Sequence, residues 1–260
     1  MKTFVIGDIH GGYKSLVQCL ARSNFNKDQD TLISLGDIAD GWSQVPECVE
    51  ELLTIKNLIA IEGNHDNWAR QWLKFRIANT MWLNQGGQAT FDAYSIYYPD
   101  LMIKHEKEFF SKQVPYYVDN ENRGFVHGGF VSRLGLGHDI TSTNYMWDRD
   151  LWSLAMLSNS NTHYDEDGLP SSQRFFRHKE VFIGHTTTGM WHCKPHFPEF
   201  TDDRQESKNG RIVIPMNRCN VWNLDTGGGY EGKLTIMDID TKEYWQSDFL
   251  KTLYTNEIGR

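Results

Sequence analysis

The chain has little cysteine: four residues in 260, at Cys19, Cys48, Cys193 and Cys219, with no CxxC pair or other thiolate spacing typical of metal sites. This excludes a thiolate-rich structural zinc site and a disulfide scaffold, so the thiols read as free, mostly buried groups of a reducing compartment. Long hydrophobic runs are also missing, since no stretch approaches the roughly 20 apolar residues of a membrane span. The segment MKTFVIGDIH has no basic run ahead of a long apolar core and a small-residue cleavage site. A cytoplasmic protein without membrane attachment is therefore expected. Clusters of Lys and Arg are absent, and 26 basic against 34 acidic residues leave a formal net charge of −8. That balance argues against stable nucleic-acid binding or docking on anionic lipid. It does not exclude a small phosphorylated substrate, because bound divalent ions can dominate the local field of an acidic protein. Internal repeats and low-complexity tracts are lacking too.

What the sequence does contain is a globular composition, 39% hydrophobic and 13% aromatic, over a length that suits one sizeable core. A single domain over residues 1–260 is expected. Short runs rich in Val, Ile and Phe each stop at glycine or a polar residue: TFVIGD (3–8), TLISLGD (31–37), LIAIEGNH (58–65), GFVHGG (124–129), VFIGH (181–185), NVWNLDTGGG (220–229) and KLTIMDID (233–240). They read as buried strands. Helical patterns lie between or after the first three: Tyr13 to Arg22, Pro46 to about Lys56, and about Asn67 to Met81 with Trp68, Trp72, Phe75 and Ile77. The β-α-β-α-β-α order predicts an α/β fold with a largely parallel first sheet. GKLTIMDIDTKEYWQSDF reads as a hairpin turning at Asp240 and Thr241, and it suggests a second, mixed or antiparallel sheet. Two polar, turn-rich stretches, about 158–173 and 199–211, read as surface insertions.

The informative regularity lies just after the strands. Asp8 and His10 follow the first, Asp37 and Asp40 the second, Asn64, His65 and Asp66 the third, and His127 and His185 two later ones. In open α/β sheets, loops beyond the carboxyl ends of strands are where sites assemble. Asp8 and His10, two apart in extended chain, can face one ion from one side, or form a plain turn. In GNHD, Asp66 can equally cap the next helix. His127 or His185 taken alone reads as a hydrogen-bonded core histidine. Five such stretches in one order favour convergence, and a set of carboxylate, imidazole and amide oxygen suits Mn, Fe or Zn. Two neighbouring metals would need a bridging carboxylate, and a two-metal clamp serves in-line attack of water on phosphorus.

GDIHG, GDIADGW, GNHD, HGG and GHT together resemble the calcineurin-like metallophosphoesterases, and more narrowly the phosphoprotein (Ser/Thr) phosphatase family in its compact bacterial and bacteriophage form. MWDRDLW (146–152) and NLDTGGGYEGKLTIMDID extend the resemblance over roughly residues 3–240. It implies a sandwich of two mixed β-sheets flanked by helices, in α-β-β-α layers. It also implies two divalent metal ions, most often Mn2+, with Fe or Zn as alternatives. By the same resemblance Asp8 and His10 hold the first ion, Asp37 bridges, and Asn64, His127 and His185 hold the second. His65 becomes the general acid with Asp40 orienting and charging its imidazole, a division that suits proton donation near neutral pH. Arg149, with Asn64, binds the substrate phosphate. The expected activity is phosphomonoester hydrolysis by a metal-bridging hydroxide, plausible on phosphorylated Ser or Thr in proteins, in the cytosol of a bacterial or phage-infected cell. Gly11 and Gly12 are expected to let backbone pass close to the ions.

The chain also departs from that pattern. Gly41 stands where the family carries Arg, Trp42 where Gly is usual, and Glu62 where many small phosphatases have Arg. A dianionic phosphomonoester then loses a main clamp unless Arg70, Arg123 or Arg133 reaches in. Two alternatives stay open: a dinucleoside polyphosphate hydrolase or cyclic phosphodiesterase, and a catalytically inactive metal-binding scaffold. Trp42 suits either an aromatic plane at the site mouth or simple burial. The tryptophans at 68, 72, 82, 147, 152, 191, 222 and 245 read as core and pocket wall. His105, His138, His163, His178 and His196 read as surface or capping residues, and His192 lies at the wrong spacing for a further ligand.

Overall fold

Thr3–Ile6 (β1), Thr31–Ser34 (β2) and Asn57–Ala60 (β3) are the first three apolar runs, and they pair in parallel, Phe4 beside Leu32 and Leu32 beside Leu58. The computed structural model describes residues 1–158, 174–190 and 213–260. Among these, Tyr116–Val118 (β4), Arg123–Val126 (β5), Glu180–Ile183 (β6), Met216–Arg218 (β7), Val221–Asn223 (β8), Thr235–Asp238 (β9) and Tyr244–Gln246 (β10) complete two five-stranded sheets. The first has the order β10-β9-β1-β2-β3 and the second β4-β5-β6-β8-β7. Both are mixed: β1-β2-β3 and β5-β6-β8 run parallel, with antiparallel strands at their edges. The β9-β10 hairpin forms as expected but belongs to the first sheet, because β9 pairs antiparallel with β1. Its fully buried Thr235–Asp238 run covers the edge that a parallel β1 would otherwise expose.

The longer helices are Tyr13–Arg22 (α1), Val45–Leu53 (α2), Asn64–Phe75 (α3), Leu101–Glu108 (α4) and Asp150–Leu157 (α5). Val5, Ile33, Leu35, Phe125, Phe182 and Met237 fill the layer between the sheets. The other face of the first sheet packs Phe4, Ile6, Leu16, Val49 and Trp72 with α1, α2 and α3, and that of the second packs Val126, Ile183, Leu151 and Trp152 with α5. The result is the α-β-β-α sandwich expected from the sequence.

Three local differences matter. Helix α3 begins at Asn64 rather than near Asn67, because Gly63 caps it and Asp66 at the third position reaches back to the Gly63 N–H at 3.2 Å. It ends at Arg76, whose left-handed φ of 59° stops the helix, so Phe75 and Ile77 point to solvent. His105 and His178 are buried rather than superficial: His105 lies between the Tyr94 hydroxyl and Glu50, and His178 accepts the Leu136 N–H at 3.0 Å. Trp42 is core, stacked 5.0 Å from Tyr254 and donating its indole N–H to the Gly228 carbonyl, so it forms no aromatic plane at a site mouth. The two expected insertions, apart from Ser158, and His163, Trp191, His192, Cys193 and His196 lie outside the described residues.

Candidate active site

The parallel strands of both sheets point their carboxyl ends the same way, and each delivers one motif. Asp8 follows β1, Asp37 follows β2, Asn64 follows β3, His127 follows β5 and His185 follows β6. All five side chains are buried, as are His10, Asp40 and His65. Ligand-type atoms of Asp8, His10 and Asp37 lie within 4.8 Å of one another, and so do those of Asp37, His127 and His185. The two groups share Asp37. Asn64 joins the second, its Oδ1 3.1 Å from His127 Nε2.

The backbone conforms to this gathering. His10, Asp37, Asp40 and His185 all adopt left-handed φ values of 49°, 51°, 72° and 64°. For non-glycine residues each costs on the order of 1 kcal/mol or more, and such strain gathers where a site demands it. A Cβ on Gly63 would collide with Asp37 Oδ1, and one on Gly184 with Asp8 Oδ1. The residues before Asn64 and His185 must therefore be glycine for the Asp37 and Asp8 carboxylates to enter. Gly11 serves a different contact from the one expected, since a Cβ there would strike the Trp42 carbonyl.

Several of these candidate ligands are oriented through one atom and present another to the group. Asp8 Oδ2 accepts the His185 N–H and Asp37 Oδ1 accepts the His65 N–H, both at 3.0 Å, while Asp8 Oδ1 and Asp37 Oδ2 are buried without a hydrogen-bond partner. His10 Nδ1 donates to the Ala39 carbonyl at 3.0 Å and His127 Nδ1 to the Leu35 carbonyl at 2.8 Å, directing each Nε2 lone pair inward. His185 Nε2 is likewise buried and unpartnered. Asn64 Oδ1 and His127 Nε2 are then two acceptors face to face, which a proton or a cation must reconcile. The donor set fits divalent metal ions, because buried free lone pairs and carboxylates are costly without a cation.

The titrations point the same way. Burial, reinforced by the Asp225 charge, holds the Asp8 carboxyl well above the usual carboxylate range. Burial opposes charge on Asp37, but the His127 and His65 imidazoles outweigh it and hold its pKa well below that range. Burial also works against a charge on His127, yet the Asp37 carboxylate overrides it and pushes the imidazole up to about 9. His10 and His185 are held well below the ordinary imidazole value by burial first, then by Arg260 and His127 respectively. Both are neutral at physiological pH, the form that ligates metals.

Beside the ligand groups, His65 Nδ1 lies 2.6 Å from Asp40 Oδ2, and His65 Nε2 is buried without a partner. Asp40 is itself fixed by the Trp82 indole N–H at 2.8 Å and the Thr90 hydroxyl at 2.7 Å. Arg149, exposed at the start of α5, donates from Nη1 to the His185 carbonyl and Thr186 Oγ1, both at 3.0 Å. The structure therefore brings together Asp8, His10, Asp37, Asp40, Asn64, His65, His127 and His185, with Arg149 at their edge. It does not bring in the suggested substitute cations. Arg70 pairs with Glu62, Arg123 pairs with Asp119 and Asp240 at the opposite end of β5, and Arg133 makes no hydrogen bond or ion pair with the site residues described.

Three participants escaped the sequence reading, and a fourth, Trp82, was read only as core and pocket wall. Asp225 follows β8 and obeys the strand-end rule that found the others. Trp82 and Thr90 come from short helical turns, Thr80–Trp82 and Gln88–Asp92, and carry no motif. Arg260 places Nη1 3.1 Å from His10 Nε2 across 250 residues of sequence, a separation no local pattern can signal.

A buried imidazole and carboxylate cradle at the strand ends of a four-layer sandwich defines a metallohydrolase site. The calcineurin-like phosphoesterase family matches residues 1–214, and the chain belongs to that family; it is a metal-dependent phosphoric ester hydrolase. It is 24% identical over 248 residues to serine/threonine-protein phosphatase 1 of Salmonella typhimurium, covering 91% of each chain. To the symmetrical bis(5'-nucleosyl)-tetraphosphatase of Pseudomonas syringae pv. syringae it is 22% identical over 274 residues, covering 95% of this chain and 91% of that one. A metallophosphoesterase structure from Sphaerobacter thermophilus superposes with a TM-score of 0.51 at 15% identity, covering 96% and 89% of the two chains, and shares the fold.

Proposed function

We propose that the protein hydrolyses phosphomonoesters, with phosphorylated Ser or Thr in proteins as the substrate class, by in-line displacement of the ester oxygen. The observation that carries this reading is the pair of ligand groups sharing Asp37, with His65 Nε2 free beside them. Asp8, His10 and Asp37 would hold one divalent ion and Asp37, Asn64, His127 and His185 a second; manganese suits this mixed set, as do iron and zinc. Bound there, such ions supply charge neutralisation on phosphoryl oxygens and an attacking water of lowered pKa. In its doubly protonated form, with Nδ1–H donating to Asp40, His65 would give its Nε2 proton to the leaving oxygen and be left as the neutral Nδ1–H ring. Arg149 binds phosphoryl oxygens at the second group, where a planar guanidinium matches two oxygens at once, and Asn64 shares that contact. The same pair of residues, His65 and Asp40, argues against an inactive scaffold, which has no use for a buried proton donor. Free cysteines and bacterial relatives support a bacterial or phage-infected cytoplasm as the setting.

A second reading, hydrolysis of a dinucleoside polyphosphate, is favoured by one feature. Trp147 is 41% exposed while packed 5.9 Å from His185 and 5.2 Å from Trp68, which itself edges His65. This gives an exposed aromatic surface beside the ligands on which a base can stack. The two readings separate on a manganese-supplemented panel of p-nitrophenyl phosphate, a phosphoserine peptide, bis(p-nitrophenyl) phosphate and diadenosine tetraphosphate. Cleavage of the phosphopeptide supports the first. A phosphopeptide left intact while the tetraphosphate is cleaved overturns it.

A further inference from the structure

Residue 41, directly after Asp40, has no side chain to offer: Gly41 sits at φ 86°, and a Cβ there would press within 3.2 Å of His10 Cβ and the His10 carbonyl. The space beside it is filled from the far end of the sequence. Arg260 is anchored by its backbone N–H, which donates to the Gly229 carbonyl at 2.8 Å, and by its guanidinium, which lies 5.3 Å from the Tyr230 ring centroid. Its stem passes through a slot bounded by three glycines from three segments. A Cβ on Gly41 would stand 3.5 Å from Arg260 Cγ, one on Gly86 2.8 Å from the same atom, and one on Gly229 3.0 Å from Cδ. At the end of the slot Nη1 reaches His10 Nε2.

A permanent cation at the edge of a group built to gather another cation is electrostatically costly unless an anion lies between them. The guanidinium also has one acceptor there, His10 Nε2, which a ligated cation would claim. A phosphoryl group satisfies both demands, as it offers oxygens to the ion and to a planar donor pair together. We propose that Arg260 is the substrate-phosphate clamp at the Asp8–His10–Asp37 group, matching Arg149 at the Asp37–His127–His185 group. This rests on the phosphoesterase reading above and supplies the cation that Gly41 withholds. The three glycines make the slot that admits it.

The test is the affinity of the manganese-loaded protein for inorganic phosphate, measured by titration calorimetry alongside its metal content. Arg260→Met keeps an apolar stem in the slot and removes the charge; it should weaken phosphate binding at least tenfold while manganese content holds or rises. Arg260→Lys should fall between the two, because it keeps the charge and loses the fork. Phosphate affinity within twofold of the parent in Arg260→Met overturns the proposal, even if manganese binds more tightly, since Arg260 would then only compete for His10. The thermal midpoint of each variant shows that it is folded, and Arg260→Lys keeps the test decisive if the Met variant is not. A parent protein that binds phosphate through Arg260 yet hydrolyses no ester would remove the phosphomonoesterase reading and leave this one standing.

Discussion

His65 Nδ1 and Asp40 Oδ2 are 2.6 Å apart, both side chains fully buried, and the carboxylate accepts two further hydrogen bonds from Trp82 and Thr90. A carboxylate so held fixes one tautomer and one ring orientation on its partner. Asp40→Asn should therefore lower kcat by roughly 10²–10⁴-fold, the range for losing a positioned general acid. KM should change little, because Asp40 does not face the substrate. Trp82→Phe removes one of the three restraints and should lower kcat by a smaller factor without changing metal content. Steady-state kinetics on p-nitrophenyl phosphate with manganese checks both, and an unchanged kcat in Asp40→Asn would remove His65 from its assigned role.

Removal of metal should destabilise the fold. Asp8, Asp37 and Asp225 are buried carboxylates within mutual electrostatic reach, and without cations they carry desolvation and repulsion. Protein treated with EDTA and dialysed should melt several degrees lower than the manganese-loaded form, with the midpoint rising as manganese is restored. A midpoint indifferent to manganese would contradict the ligand assignment.

The stability that His105 contributes should fall on acidification below about pH 6.5, the ordinary imidazole value. Burial holds His105 below that value, with Glu50 opposing and Lys104 adding to the effect, and the neutral ring bridges Tyr94 and Glu50. The unfolded chain then binds more protons than the fold, so the stabilisation is complete above pH 6.5 and lost as pH falls toward the depressed value. His10 and His185 act in the same sense, whereas Asp8 and Asp66, whose carboxyls burial raises, Asp66 to about 7, act in the opposite one, so the informative quantity is the difference between parent and His105→Gln. The thermal midpoint of the parent minus that of the variant should become smaller from pH 8 to 5.5.

Cys19 and Cys48 should resist alkylation in the folded state. Burial pushes the Cys19 thiol up to about 12 and Cys48 upward as well. Only the thiolate reacts, so iodoacetamide at pH 8 should modify them at the rate of unfolding, read by mass spectrometry. Rapid modification of either in native buffer would contradict their placement in the core.

Much of this site was legible because its chemistry is written locally. Asp8–His10, Asp37–Asp40 and Asn64–His65 each stand where an apolar strand stops, and a strand's end is a local signal. The helix boundaries at Asn64 and Arg76 were less legible, because a glycine cap and a left-handed stop are decided by contacts with the Asp37 loop and by a single φ. The β9-β10 hairpin was visible, but its sheet was not: pairing with β1 spans more than 200 residues and depends on which edge is left open. Trp42 was ambiguous beside Asp40, and only packing on Tyr254 decides that it is core. Trp82, Thr90 and Arg260 lay out of reach for the same reason, as each enters the site through the tertiary fold rather than through a motif.

The most direct test of the central claim is turnover of p-nitrophenyl phosphate by the purified protein with manganese, compared with Asp37→Asn. Asp37 is the one residue common to both ligand groups, and its Oδ2 is buried between them, 3.3 Å from His127 Nε2 and 3.5 Å from His10 Nε2. Manganese-dependent release of phosphate by the parent is expected, with its loss by several orders of magnitude in the variant. Equal turnover by the two proteins, or none by the parent on any phosphate ester at any manganese concentration, would contradict the claim.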